Sequence, residues 1–501
     1  MHNSIIIIGS GLGGLLTGFL LSREGLQVTV LEKHRKFGGC LQTFKRDRFT
    51  FDTGMHYTGS LASGQPLSNY WKYFELSDRL DLRKMDENGF DRISYLGTEY
   101  PLAQGFDNFR EQLLPYFPDE QTALKKYTNN LQEVADSHPL YSVELPPESN
   151  NDHFQSILAS SYLSDLSSGI RHPASGIRLA DILAGNNFLY AGNPATTPLS
   201  QFGLINHSLI SSSWRLAGGS QQVADILVEG IRANGGQVLA RKKVMKISKK
   251  GDLFQVSVKD GELFVADQVV SDIHPVATLE LLEGIQVQKV YQERIRSLPN
   301  SVSVFSIYLG LKSETFPFLN YNFYHYRTDY IWSGLPSQGA EWPNSFLFMT
   351  PPEKDQGKFA STAVIMSTML FDEWKTWKKS DSGAREKSYF VNKAKKAKQL
   401  LELVYTKFPD LKKAVVTIDI STPLTWRDYT GTPQGSMYGI VKDANNPQKT
   451  TIFPKTKIPG LFFTGQNVNL HGALGVTIGA VMTCGEILGL PHVLKSIKQS
   501  L

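Results

Sequence analysis

The sequence predicts an α/β fold, and three observations carry that prediction. A β-branched run, Ile5–Ile8, stops at a glycine-rich turn that opens a helix-forming stretch. Short alternating strands recur between residues 237 and 272. The composition is globular, with 41% hydrophobic and 20% charged residues among 501. At about 150 residues per domain this length corresponds to roughly three domain-sized units, so a single small domain is excluded.

The charge and cysteine content narrow the class of protein. The 52 basic and 47 acidic residues leave a formal net charge of +5, without the dense Lys/Arg stripe of a nucleic-acid binder. The two cysteines, Cys40 and Cys484, are too few for a disulfide framework or a zinc site. We therefore expect a reducing, cytoplasmic location, no nucleic-acid partner and no metal.

The first ordered segment is an uncharged run from Ser4 to Ser22. Its length would suit a membrane span, but its five glycines would destabilise a single helix. A β-branched run stopped by glycines is instead typical of a buried strand and a turn. No basic leader precedes Ile5, as a signal peptide would require. We expect neither a signal peptide nor a transmembrane helix here.

The expected order is a strand over Ser4–Gly9, a helix over Leu15–Arg23 and a second strand over Gln27–Leu31. The turn has the spacing G-x-G-x-x-G, in which the glycines allow a tight turn, close approach of a pyrophosphate, and helix–strand packing. The acid after the second strand, Glu32, is placed to bind an adenosine ribose. The segment therefore predicts a dinucleotide site formed by Gly9, Gly11, Leu12, Gly13, Gly14, Glu32 and Lys33.

A second region of regular structure begins near residue 214. A glycine-rich turn is expected to open a helix that runs to about Ala233. Short strands should follow it over Gln237–Ala240, Val244–Ser248, Leu253–Val258, Leu263–Ala266 and Asp267–Asp272. Residues 60–200, by contrast, predict helices and loops without site chemistry.

Three motifs resemble a known family. They are Gly38-Gly39-Cys40, the stretch Phe51–Tyr57, and the glycine-rich run from Thr464 to Ala480. Together they resemble the FAD-binding segments of the phytoene desaturase, carotenoid isomerase and retinol saturase superfamily, which is related more distantly to the flavin amine oxidases. Within that superfamily the retinol saturases, or all-trans-retinol 13,14-reductases, are the most similar.

The resemblance implies an α/β flavoprotein of two interleaved domains. A Rossmann-like FAD domain would comprise residues 1–70, 200–285 and 430–501. An α+β substrate domain with a mixed sheet would comprise residues 71–199 and 286–429. The three domain-sized units suggested by length thus become two.

The resemblance also implies how FAD is held. The backbone of Val244 would contact the adenine, Gln466 would approach the ribityl chain, and a helix starting near Gly475 would direct its N–H groups at the flavin. The wider family has arginine after the paired glycines, where this sequence has Cys40, so no arginine contact is implied. The implied FAD contacts are Gly38, Gly39, Cys40, Gly54, Met55, His56, Val244, Gly465, Gln466, Gly475 and Val476.

Three side chains are candidates for proton transfer or substrate orientation: His56, Tyr57 and His471. In the family, the loop that carries the first two lies near the isoalloxazine ring. A purely structural role is the alternative for each of them, and for Cys40 a buried thiol is the alternative to a redox role.

Two features bear on the substrate and on partners. Aromatic residues cluster at Tyr321–Tyr326 and Tyr330–Trp332, which suggests a sheet with one aromatic face. Such a face is either core or the wall of a tunnel for a long apolar molecule. A lysine-rich amphipathic helix between Glu386 and Phe408 is either a solvated face or a peripheral membrane contact.

The resemblance implies an FAD-dependent oxidoreductase that acts on a carbon–carbon double bond of an apolar polyene, isoprenoid or lipid substrate. A hydride would reach one alkene carbon while a side chain or water protonates the other. A carotenoid desaturase, a carotenoid isomerase and an amine oxidase are alternatives on the same frame. A flavin-free lipid-binding escort of the GDP-dissociation inhibitor type is an alternative of another class. The electron donor is left open.

Overall fold

Two β-sheets carry most of the molecule, which we describe from a computed structural model. The structure describes residues 4–145, 179–329, 331–334, 341–380 and 383–501. The strands are β1 Ser4–Ile8, β2 Gln27–Leu31, β3 Thr43–Arg46, β4 Phe49–Asp52, β5 Thr58–Gly59, β6 Leu82–Lys84, β7 Asp91–Tyr95, β8 Thr98–Leu102, β9 Ser213–Leu216, β10 Gln237–Leu239, β11 Val244–Lys250, β12 Leu253–Val258, β13 Leu263–Ala266, β14 Gln268–Ser271, β15 Ser303–Leu311, β16 Asn322–Tyr326, β17 Ser345–Met349, β18 Thr362–Met369, β19 Val415–Ser421 and β20 Leu461–Phe463.

The described α-helices connect and cover these sheets. None of them is both long and apolar enough to cross a membrane. Their bounds are Leu12–Arg23, Pro66–Tyr73, Phe106–Leu113, Gln121–Asp136, Leu179–Leu183, Leu199–Ser211, Gln221–Ala233, Pro275–Leu281, Lys289–Arg296, Lys387–Lys407, Leu411–Ala414, Pro423–Thr430, Pro447–Thr450, Gly472–Leu488 and Leu490–Lys498.

The first sheet is parallel throughout, in the order β10-β2-β1-β14-β20. Its central strand β1 is an unbroken buried β-branched run, as expected for a strand covered on both faces. The first helix begins at Leu12, three residues earlier than predicted, because Gly11 already serves as its N-cap. The strand–turn–helix prediction for residues 4–22 is confirmed. All five strands come from the segments predicted to form the FAD domain; the domain boundaries themselves stay a prediction.

The three-stranded meander β11-β12-β13 follows β10, as the alternating pattern predicted. Its inward residues, which include Phe254 and Val256, pack against β1 and β14 residues such as Ile6 and Val269. The meander therefore delivers Val244, at the start of β11, next to the carboxyl ends of the parallel strands.

The second sheet has seven strands in the order β19-β15-β18-β17-β16-β7-β8. All neighbouring pairs are antiparallel except β16 with β7, so the sheet is mixed, as predicted. The prediction of helices and loops alone for residues 60–200 is wrong, because the strands β6, β7 and β8 lie within this range.

The aromatic cluster at 321–326 forms β16, but both of its faces are buried. Tyr324 and Tyr326 pack on the side of the helices Phe106–Leu113 and Gln121–Asp136, whereas Phe323 packs against the opposite core. The second cluster is not a strand: Ile331–Gly334 is a short 3-10 turn, and Tyr330 lies outside the described residues. The expectation of a single aromatic face is therefore corrected to aromatic packing on both faces.

The helix Gly472–Leu488, the last but one in the chain, is largely buried and packs against the helix Leu12–Arg23. It begins three residues before the predicted start at Gly475. Small side chains allow this close approach; for example, the buried Cys484 thiol contacts the carbonyl of Thr17. The packing brings the N-termini of the two helices to the same end of the parallel sheet.

Candidate functional site

A cavity of about 510 Å³ lies at the carboxyl ends of the parallel strands. In doubly wound sheets this edge is where ligands bind. Its walls come from the turn after β1, the end of β2, the loops around residues 38–41 and 54–57, the start of β11 and the turn before Gly472–Leu488. The aromatic side chains of Trp426, Tyr429 and Tyr438 complete the lining.

Particular positions of the turn after β1 require glycine. A Cβ on Gly13 would lie 2.5 Å from Gly465 Cα, and a Cβ on Gly14 would lie 2.3 Å from the carbonyl oxygen of Gly9. Gly9 itself has a φ of +100°. Gly9, Gly11, Leu12 and Gly13 line the cavity, whereas Gly14 packs behind the turn. The N-terminus of the first helix therefore lies in the cavity wall, the arrangement that binds a pyrophosphate.

Glu32 lies in the cavity wall at the end of β2. Its Oε2 accepts hydrogen bonds from the Ser10 backbone N–H at 3.1 Å and the Ser10 hydroxyl at 2.6 Å. Its Oε1 accepts one from the His34 backbone N–H at 2.8 Å. Each oxygen keeps capacity to accept a ribose hydroxyl. The neighbouring Lys33 lines the cavity, and burial lowers its pKa.

Asp272 is a cavity residue that sequence reasoning placed only at the end of a strand. Its carboxyl accepts hydrogen bonds from the backbone N–H groups of Gly11 and Gly14. Burial, more than the nearby charge of Glu32, raises its pKa to about 8, so the group is protonated at neutral pH. The available signal was an acid directly after an apolar strand, the same signal that identified Glu32.

The paired glycines and the loop after β4 close the cavity from the other side. Gly38 and Gly39 have φ values of +114° and +55°. Burial, followed by the charge of Asp272, raises the pKa of the Cys40 thiol to about 11, so the thiol is protonated. A Cβ on Gly54 would lie 2.9 Å from Cys40 Cβ. Gly38, Gly39, Cys40, Gly54 and Met55 all line the cavity.

The cavity wall also includes Val244 and the two lysines before it, Lys242 and Lys243. From the C-terminal segment it includes Gly465, Gln466 and Val476. Gly475 does not line this cavity but a second, smaller one described below. A Cβ on Gly475 would lie 2.7 Å from Leu470 Cβ.

His56 is not among the residues that line the cavity. Both of its ring nitrogens are buried, and within the described chain neither has a hydrogen-bond partner. Burial, reinforced by the charge of Arg215, lowers its pKa to about 4, so the ring is neutral. The structure therefore places His56 outside the cavity lining, and its proposed role stays a prediction.

Tyr57 lines the cavity and joins a buried polar network. Its hydroxyl donates to Asp91 Oδ2 at 3.0 Å and lies 2.7 Å from the Tyr324 hydroxyl. Asn322 donates to Asp91 Oδ1 at 2.7 Å. Arg215, which is 1% exposed, donates to Asn322 Oδ1 at 2.7 Å and to the carbonyl oxygens of Leu319, Tyr321 and Thr350. Sequence reasoning missed Asp91 and Arg215, since nothing local marks either residue.

His471 also lines the cavity, at the N-cap of the helix Gly472–Leu488. Its Nε2 lies 2.9 Å from the carbonyl oxygen of Leu189, so Nε2 carries the proton and donates. Its ring stacks on Tyr438 with centroids 4.2 Å apart. Burial lowers its pKa to about 4, which leaves a neutral imidazole whose Nδ1 can only accept.

A second cavity of about 110 Å³ adjoins the first. The two share five wall residues: Tyr57, Leu189, His471, Gly472 and Ala473. The rest of its lining is mainly apolar, with side chains such as Leu204, Leu209 and Ile478. Tyr57 and His471 thus lie at the boundary between the large cavity, which polar and charged residues help to line, and the smaller, mainly apolar one.

The large cavity fits FAD on three grounds. It offers the glycine-rich N-terminal turn of the first helix for the pyrophosphate, an acid for the ribose, and at that helix N-terminus the carboxyl of Asp272, which is protonated at neutral pH and so does not repel an anion. Its volume lies within the range of cofactor sites. Of the residues predicted to hold the cofactor, all except Gly14, His56 and Gly475 line this cavity, and their contacts with the cofactor stay a prediction.

Known proteins support this assignment. The all-trans-retinol 13,14-reductase of Danio rerio is 29% identical to the chain, covering 96% of it and 85% of the reductase. Prolycopene isomerase 2 of an Oncidium hybrid cultivar is 25% identical, covering 96% of the chain and 83% of the isomerase. The solved structure of cyclohexylamine oxidase from Brevibacterium oxydans has a TM-score of 0.59 at 15% identity, covers 99% of this chain and 100% of that one, and shows that the fold is shared.

A family model described as flavin containing amine oxidoreductase matches residues 12–483. The match begins within the glycine turn after β1, includes the whole second sheet and ends within the helix Gly472–Leu488. FAD is accordingly the cofactor, and the resemblance to the retinol saturase and carotenoid isomerase superfamily is confirmed. The flavin-free escort is not supported. The chain belongs to the flavin-containing amine oxidoreductase family and is an FAD-dependent oxidoreductase.

Proposed function

We propose that the protein reduces a carbon–carbon double bond of an apolar polyene, as the name of its retinol reductase relative describes for that enzyme. The observation that carries the proposal is the position of Tyr57. This residue lines both the FAD cavity and the apolar cavity, and its hydroxyl is tied to a buried carboxyl. A reacting double bond would lie at that boundary.

The second cavity suits one apolar end of such a substrate. Its walls supply few hydrogen-bonding groups, and one of these, the Tyr141 hydroxyl, is already bonded to His207 Nδ1 at 2.9 Å. An apolar group gains free energy by leaving water for such a site, whereas a charged group would lose its hydration. A volume of about 110 Å³ accepts a small branched end and excludes a second long chain.

The protein's part in the reaction is to position and protonate. When bound and reduced, FAD supplies a hydride. Tyr57 holds an O–H at the boundary of the two cavities and is the side chain best placed to protonate the other alkene carbon. His471 cannot donate in the same way, because its only N–H is engaged by the Leu189 carbonyl. Its Nδ1 can instead accept a hydroxyl of the substrate or, in the reverse direction, a proton.

The test is an anaerobic half-reaction. Photoreduced holoenzyme is mixed with all-trans-retinol, and flavin absorbance and product mass are followed. We expect the flavin to be reoxidised and the product to gain two hydrogens. A product of unchanged mass would indicate an isomerase, and reduction of oxidised flavin by the substrate would indicate a desaturase. Reduced flavin that persists with retinol and with carotenoid polyenes would overturn the proposal.

We further propose that the helix Lys387–Lys407 contacts an anionic membrane, from which an apolar substrate would be drawn. Tyr389, Leu400 and Val404 anchor one face of this helix in the core. Phe390 and Val391 project outward, 53% and 61% exposed, among lysines. In sedimentation with phosphatidylserine vesicles, the wild-type protein should pellet with the vesicles, whereas the F390D variant should stay in the supernatant. Equal binding of both proteins would refute the contact.

A further inference from the structure

A buried carboxyl stands behind Tyr57. Asp91 is the first residue of β7, has no exposed surface, and lines neither cavity. Its Oδ2 accepts from the Tyr57 hydroxyl, and its Oδ1 accepts from Asn322. Among the described residues that line the two cavities, Tyr57 is the one that hydrogen-bonds to Asp91.

The groups that face Asp91 come from three neighbouring elements. Arg215 on β9 is the nearest positive charge; Tyr324 and Tyr326 on β16 and Tyr57 in the loop after β4 are the other titratable groups. The guanidinium of Arg215 donates to carbonyl oxygens and to Asn322, and no ion pair between it and Asp91 is formed in the described chain. Asp91 is thus held by neutral donors.

We propose that Asp91 supplies, through the hydroxyl of Tyr57, the proton that completes reduction of the substrate double bond, with Tyr324 fixing the phenol between them. The proposal rests on the proposed function, because it assigns the proton source of that same reaction. Asp91 touches neither substrate nor FAD, so it is a positioning residue that acts through Tyr57.

The direction of the hydrogen bonds explains how the relay works. When Asp91 is protonated, its O–H donates to Tyr57 Oη, and the phenolic O–H is free to point elsewhere. As the substrate carbon takes the proton, the Tyr57 O–H bond breaks and a C–H bond forms. The Asp91 O–H bond then breaks and the phenol is restored, leaving a carboxylate near Arg215. After the product leaves, water entering the cavity returns a proton to Asp91 through the Tyr57 hydroxyl. The hydride and its two electrons arrive separately from reduced flavin.

The energetics of the site agree with this sequence of transfers. Burial raises the pKa of Asp91 to about 7 despite its hydrogen bonds from Asn322 and Tyr57, so the acid is available near neutral pH. Burial raises the pKa of Tyr57 well above its ordinary value, so the phenol does not stay ionised once a protonated acid adjoins it. A general acid with a pKa near the working pH is the efficient kind.

The kinetic test uses reduced holoenzyme and all-trans-retinol between about pH 5 and pH 9. We expect D91N to slow flavin reoxidation by about 100-fold near neutral pH, to keep the Kd for retinol, and to remove the decline in rate that wild type shows above about pH 7. D91E should restore part of the rate. The control is D52N, another buried carboxyl, which is hydrogen-bonded to Ser220 instead. A wild-type rate and pH profile in D91N would overturn the proposal.

An infrared titration separates this inference from the proposed function. The carbonyl stretch of a protonated carboxyl, recorded in the holoenzyme without substrate, should disappear in D91N and shift in Y57F. Absence of a band that titrates near pH 7 and depends on Asp91 overturns the relay whatever the substrate proves to be. If retinol and carotenoids leave wild-type flavin reduced while that band is present, the proposed function fails and the acid–phenol pair stands.

Discussion

Replacing Asp272 by asparagine is expected to flatten the dependence of stability on pH. The carboxyl binds the N–H groups of Gly11 and Gly14 at the start of the first helix, and burial raises its pKa from 3.8 to about 8. The unfolded chain releases this proton near pH 4, whereas the folded chain keeps it until about pH 8. Folding is therefore penalised progressively as the pH rises between these two values. Asparagine resembles the protonated acid in shape and cannot ionise.

The magnitude follows from linkage. Each pH unit between the two pKa values costs the folded state about 1.4 kcal/mol. Between about pH 5 and pH 8 the wild type should lose up to about 4 kcal/mol that the D272N variant keeps. Other buried acids, such as Asp52 and Asp91, contribute equally to both proteins and cancel in the comparison.

The assay is urea unfolding, followed by tryptophan fluorescence, at several pH values in that range. The unfolding midpoint of wild type should fall more steeply with pH than that of D272N, and the two proteins should differ least near pH 5. Retention of FAD should show the same trend, since an ionised Asp272 would oppose the pyrophosphate. Parallel pH dependences would refute the assignment of this carboxyl as a buried, protonated group.

Three further outcomes follow from the cavity walls. G13A should lose FAD and destabilise the fold by about 1–3 kcal/mol, because its Cβ would lie 2.5 Å from Gly465 Cα. The flavin-to-protein absorbance ratio measures the loss, and the matched control is G357A, where a Cβ meets nothing within 4 Å. E32A should lower FAD occupancy while circular dichroism stays unchanged, and full occupancy would contradict its ribose role. R215M should cost about 3–5 kcal/mol in urea unfolding, because it leaves four acceptors, two buried and two partly buried, without their donor; a loss below about 1 kcal/mol would contradict that account.

The parts of the site that sequence predicted are those encoded locally. The glycine turn, the strand before it and Glu32 lie within one 30-residue unit, where spacing alone fixes which atoms meet. The helices that begin at Leu12 and Gly472 each start three residues before the predicted position, because a glycine or histidine N-cap allows helical geometry to begin before the apolar pattern does.

The polar network around Tyr57 could not be predicted from the sequence, because its members lie far apart along the chain. Tyr57 meets Asp91 and Tyr324 across 34 and 267 residues of chain. Their contact depends on the parallel pairing of β7 with β16, which no local period announces. Arg215 lies in the short strand β9, and the carbonyl oxygens that accept its hydrogen bonds belong to residues more than 100 positions later in the chain.

The pairing of β7 with β16 also constrains the order in which the protein can be made. Strand β7 is synthesised more than 200 residues before its partner, and the edge strand β20 completes the parallel sheet only near the end of the chain. Neither sheet can close while the ribosome still holds the last fifth of the sequence. The nascent hairpin β7-β8 must therefore wait with an unpaired edge, the state in which chains of high contact order aggregate. We expect recombinant yield to depend on chaperones and on FAD supplied during expression, and C-terminal truncations before β20 to be insoluble.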